Sequence, residues 1–157
     1  MIAMALNKVA IASLIPHAGT MCLLDEVVTW DNTHIHCRTR SHQDPAQPLR
    51  RHGRLPALAL IEYGAQAMAV HGGLLAHAAG IATVTGLLVS ARNVCFEVGT
   101  LEGIDAALEI HAKRLLESGG GWLYEFQVIA LQQKIAAGRV AVIAPRDGIL
   151  APHESAQ

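Results

Sequence analysis

Charge is scarce in this chain of 157 residues: Asp, Glu, Lys and Arg together make up 16%. Twelve basic and thirteen acidic residues leave a formal charge of -1. No field of one sign exists to attract nucleic acid or an anionic membrane surface, and both partners are set aside. Cysteine is scarce too. Cys22, Cys37 and Cys95 are odd in number, widely spaced and without a CxxC pair. That argues against a disulfide framework and for reduced thiols in a reducing compartment, the cytoplasm. Repeats, low-complexity segments and linkers are lacking. The opening MIAMALNKVAIASLIPH has no charged region ahead of its apolar run and makes a poor signal peptide.

What the chain has is apolar surface, 52% of its residues, enough for one domain spanning residues 1–157 with its own core and a loose polar tail from about residue 146. The longest apolar stretch runs from Leu55 to Ala79 and is rich in alanine, yet it carries Glu62. By length it could pass for a membrane span. Glu62, Gln66, His71, His77 and the tandem Gly72-Gly73 make a core helix the better reading. An unpaired carboxylate in such a helix is costly, so Glu62 calls for an explanation.

Around this helix the periodicity predicts a short helix over 5–14, stopped by Pro16, and strands over 21–30 and 34–40 joined at Asp31-Asn32. Residues 41–54, with two prolines and many polar side chains, form a long loop of the kind that often carries function. After the helix, strands are expected over 86–98, 104–117, 122–132 and 134–144. The third-last stretch scores as helix in isolation; its alternation and its hairpin neighbours decide for strand. Ser118-Gly119-Gly120-Gly121 reads as the hairpin turn and not as a phosphate cradle, since no helix follows it. One nearly all-apolar helix among antiparallel strands must be covered on most sides, and a curved sheet wrapped around it does so. The expected fold is α+β, the hot-dog arrangement.

Three stretches then carry a resemblance. Ile15-Pro16-His17 with Met21-Cys22-Leu23-Leu24-Asp25-Glu26-Val27, Leu60-Ile61-Glu62-Tyr63-Gly64-Ala65-Gln66, and Leu87 to Phe96 stand in the order and spacing of the hot-dog 3-hydroxyacyl-acyl carrier protein dehydratases. The closer resemblance is to the dehydratase-like subgroup of aryl polyene biosynthesis. The resemblance implies dehydration of 3-hydroxyacyl chains, held on the phosphopantetheine of acyl carrier protein, to trans-2-enoyl chains. It implies no cofactor and no metal, and a homodimer or a heterodimer with another hot-dog subunit. The sequence departs from the family where a Gly-His-Phe-Pro motif belongs, fourteen residues before the helix glutamate; Pro48 stands there, and the helix entrance reads Pro56-Ala57 in place of Pro-Gly. A catalytically silent subunit paired with an active dehydratase, and an acyl thioesterase, are the alternative functions.

Dehydration needs a base at carbon 2 and an acid at carbon 3. A carboxyl in an apolar helix suits the acid, which makes Glu62 a protonatable tool. Gln66, one turn on, can hold it, and backbone N–H groups near Leu58 at the positive helix end can polarise the thioester carbonyl. The base is His52 or His17. The loop position puts His52 ahead, and its Pro-His context keeps His17 close behind. Plainer readings stand beside these: Glu62 paired with Arg92, His52 a solvated loop residue, His17 a loop anchor or wall. His34 and His36 share one strand face and could bind zinc, but no third ligand is evident and a solvated face is preferred. Tyr63 and Met68 are read as core.

Overall fold

The computed structural model describes residues 5–17, 19–83 and 86–144. Strand β1 (Leu6–Asn7) leads into α1 (Lys8–Ala12), where the Asn7 side chain caps the helix by accepting from Ala10 N–H. Then follow β2 (Glu26–Trp30), β3 (His34–Thr39), the long helix α2 (Leu60–Ala78), β4 (Leu87–Phe96), β5 (Leu108–Ser118), β6 (Gly121–Ala130) and β7 (Gln133–Ile143). The strands form one antiparallel sheet in the order β1-β2-β3-β5-β6-β7-β4, the hot-dog architecture with α2 packed on its inner face. The polar tail expected from about residue 146 lies outside the described residues.

Alternation decides which face each strand buries. On β3, Ile35, Cys37 and Thr39 are buried, whereas His34, His36 and Arg38 face away. On β5, Leu108, Ile110 and Ala112 turn inward. The helix lies close to this surface because Gly64 has no side chain: a methyl there would stand 2.6 Å from the Phe126 ring. Tyr63, fully buried, is part of the core as expected. Its hydroxyl meets Ser41 Oγ at 2.9 Å and accepts from Gln47 Nε2 at 3.1 Å, which ties the 41–54 loop to the helix. The ambiguous stretch 104–117 is strand from Leu108 onward, fixed by pairing to β3 and β6. Gly119 and Gly120 supply the two positive φ angles of the β5–β6 hairpin.

The structure departs from the sequence expectation at several points, and the short helix expected over 5–14 spans only Lys8–Ala12, ending before Pro16 is reached. The strand expected from Met21 begins only at Glu26. Leu23 N–H bonds to the Gln66 side chain, and the Leu23 carbonyl accepts from the Thr39 and Ser41 hydroxyls, so this segment has no strand ladder to join. The helix is also less enclosed than its composition suggests. One side packs on the sheet; the side bearing Glu62, Ala65, Ala69 and Gly72 borders a cavity instead.

Candidate active site

Glu62 sits in the first turn of α2, where the helix dipole favours a carboxylate. α1 ends in a turn at Ser13 and Leu14, and the segment that follows brings His17 alongside. The His17 Nε2 lies 3.1 Å from Glu62 Oε1, and both side chains are 29% exposed. Gln66, one helical turn on, donates from Nε2 to the same Glu62 oxygen at 3.2 Å. Gln66 is itself held: its Oε1 accepts from Leu23 N–H at 2.9 Å and its Nε2 donates to the Met21 carbonyl at 2.6 Å. The amide is fully buried, so these bonds orient it and it orients Glu62.

Glu62 has no Lys or Arg partner among the described residues. The alternative partner Arg92 stands on β4 opposite Arg139 of β7. The carboxyl therefore meets an imidazole and a neutral amide among the described residues. His17 Nδ1 is buried without a hydrogen-bond partner among the described residues, which leaves Nε2 as the nitrogen that meets the acid.

The pair borders a cavity of about 510 Å³, within the range of small-molecule sites. Ala65, Ala69, Gly72 and Ala76 form its helical wall, spaced to fall on one face of α2. Leu14, Met68, Leu87, Leu88 and Val142 add apolar surface, and Arg114, Glu117, Trp122 and Tyr124 are also in the lining. Behind Tyr124 stands a polar relay that the sequence reading missed. His71 Nε2 donates to the Asp31 carbonyl at 2.7 Å, so its Nδ1 accepts from the Tyr124 hydroxyl, also at 2.7 Å. Burial pushes His71 below its ordinary range and Tyr124 above its own, which keeps both neutral. The signal was a histidine inside the apolar run, nine residues past Glu62.

The structure does not bring the other sequence candidates to this cavity. His52 is exposed at φ 51° in a turn closed by the Arg51–Arg54 bridge, outside the cavity lining. The loop folds back because Arg50 donates to the Asp44 and His42 carbonyls and pairs with Glu102. Leu58 is 64% exposed and also stands outside the lining. His42 is buried, with Nε2 3.0 Å from the Ile104 carbonyl oxygen. On the outer face of the sheet, His36 pairs with Glu109 and stacks on His111 at 4.1 Å between ring centres. No cluster of three metal-binding side chains occurs among the described residues. Cys22, Cys37 and Cys95 are unbridged, and burial raises the Cys37 thiol to about 12. No helix among the described residues is long and apolar enough to cross a membrane.

Comparison with solved structures finds similarity to the dehydratase heterocomplex ApeI:P from Xenorhabdus doucetiae, with 25% identity and a TM-score of 0.79 over 87% of this chain and 91% of that one. Thioesterases share the fold at lower identity. Zebra fish thioesterase superfamily member 2 gives 14% identity and a TM-score of 0.60, covering 88% of this chain and 95% of that one. The E. coli PaaI protein from the phenylacetic acid degradation operon gives 14% and 0.57, covering 87% and 88%. None of the curated protein sequences matches. Residues 9–152 match the ApeP-like family, described as ApeP dehydratase, and the chain belongs to that family of dehydratases.

Proposed function

We propose that the His17–Glu62 pair dehydrates 3-hydroxyacyl chains, tethered to acyl carrier protein by phosphopantetheine, to trans-2-enoyl chains. The observation that carries this reading is a carboxylic acid and an imidazole 3.1 Å apart, bordering a largely apolar cavity. With the shared proton on Glu62, the His17 Nε2 lone pair takes the proton from carbon 2. The electrons of that C–H bond form the C2–C3 double bond. The C3–O bond breaks, and Glu62 protonates the departing hydroxyl, which leaves as water. An imidazolium–carboxylate pair remains. Transfer of one proton from Nε2 to Oε1 across their contact restores the starting state. Gln66 acts as a positioning residue, holding the carboxyl through its amide.

The test is turnover of 3-hydroxyacyl carrier protein by the purified chain, followed as loss of one water by mass spectrometry. Wild type should form the enoyl thioester and Glu62→Gln should not. Release of free carrier thiol with the hydroxyl retained would point to a thioesterase instead.

A second reading concerns assembly. The chain is similar to a heterocomplex, and the longer of the two edge strands of its own sheet is β4, where Leu87, Leu88 and Val89 are exposed. Such an edge favours pairing with a second hot-dog subunit, another copy or a related chain. Sedimentation of the chain alone and mixed with candidate subunits tests this; a fully active monomer would refute it. The unbridged thiols fit a reducing compartment, and the reaction is assigned to the cytoplasm.

A further inference from the structure

Two adjacent glycines on α2 do different work. A methyl group at Gly73 would lie 3.1 Å from the Leu14 carbonyl oxygen and 3.2 Å from Leu14 Cβ. Gly73 is thus where the helix lets the segment carrying His17 come close. A methyl group at Gly72 would meet nothing within 4 Å. Gly72 lies inside the helix without a positive φ, so neither packing nor backbone conformation demands glycine there. Glycine in a helix costs about 1 kcal/mol relative to alanine. What its missing side chain leaves is space, and that space belongs to the cavity beside the acid–imidazole pair.

We infer that Gly72 sets the depth of the cavity and is a specificity-determining residue: the acyl chain runs from Glu62 past Ala65 and Ala69, and long chains pass over Gly72. This rests on the proposed dehydration. Gly72 stands ten residues beyond Glu62, about 15 Å along the helix axis. The occupant is an apolar chain, because the helical wall between these two positions consists of Ala65, Met68 and Ala69, and the charged groups of the lining other than the acid–imidazole pair, Arg114 and Glu117, bond to each other at 2.9 Å. A short chain ends before Gly72 and does not sense a side chain there. A long one collides with it.

The experiment compares 3-hydroxybutyryl and 3-hydroxypalmitoyl carrier protein with wild type, Gly72→Ala and Gly72→Leu. In Gly72→Leu, kcat/KM for the long chain should fall at least about tenfold, and for the short chain stay within about twofold. Gly72→Ala should melt no lower than wild type and shift the preference in the same direction by less, which keeps the test alive if the leucine variant misfolds. Equal losses for both chains, or an unchanged preference, would overturn the inference. So would weaker assembly in sedimentation with preference unchanged, which would mean that a second subunit covers Gly72. If wild type dehydrates neither substrate, the proposed reaction fails. The depth assignment is then decided by a fluorescent long-chain fatty acid, whose binding should be lost in Gly72→Leu and kept in Glu62→Gln; binding retained in Gly72→Leu refutes it.

Discussion

Among the described residues, two histidine–glutamate pairs stand on opposite sides of the sheet. His17 and Glu62 stand at the helix; His36 and Glu109 stand on the outer face, on β3 and β5. The outer carboxylate also accepts from Arg38 Nε at 2.7 Å, Arg38 reaches on to Glu26, and His36 is stacked on His111. Although burial alone would raise Glu109, its bonds to Arg38 and His36 outweigh that and hold it below the usual carboxylate range. That carboxylate is fixed as an anion and serves the sheet. At Glu62 the companions among the described residues are an imidazole and a neutral amide, beside a largely apolar cavity. The same two residue types stand with a guanidinium at the outer face and without one at the helix, and the proposed proton transfer belongs to the second arrangement.

The widest expected gap separates the two acids. Glu62→Gln should lower dehydration by about a hundredfold to ten-thousandfold, while Glu109→Gln stays near wild type. Turnover of 3-hydroxyacyl carrier protein measures both, and equal losses would collapse the contrast. The histidines should divide likewise: His17→Ala inactive to within the same range, His36→Ala and His52→Ala active. An inactive His52→Ala with an active His17→Ala would return the base to the loop.

Gln66→Leu should cost about 3 kcal/mol in denaturant unfolding, because it leaves the buried Leu23 N–H and Met21 carbonyl unpaired, and it should lower turnover by loosening Glu62. The control, Tyr63→Phe, should cost about 1–2 kcal/mol through Ser41 and Gln47, with turnover little changed.

A smaller effect follows from acid. Burial holds His42, His71 and His111 below the ordinary value of 6.5, and the neighbouring His36 lowers His111 further. Below that value the unfolded chain binds protons that the native state refuses. The stability these groups contribute is therefore present above the unfolded value and lost as pH falls, and the melting temperature should drop between about pH 7 and 5. His111→Gln should flatten that slope; an unchanged slope would clear His111 of any part in it.

Much of the fold was legible along the chain. The Leu55–Ala79 run marked the central helix, alternation marked the strands, and Gly119-Gly120 marked their hairpin, because these are local patterns. The start of β2 was not legible: what ends the ladder before Glu26 is a glutamine more than forty residues away. At the site, Glu62 stood out as a carboxyl in an apolar helix, and Gln66 as its neighbour one turn on.

The choice among histidines was beyond local pattern. His52 lies nearer to Glu62 in sequence than His17 does, yet a bridged turn holds His52 outside the cavity lining and the segment after α1 brings His17 to the acid. By itself the sequence determined the elements, the apolar helix and the identity of its acid, since periodicity and composition act over neighbouring residues. Tertiary structure decided which imidazole meets that acid, which carboxylate receives a guanidinium, and which of two adjacent glycines faces empty space. Those outcomes depend on contacts between segments far apart in the chain, and no local pattern encodes them.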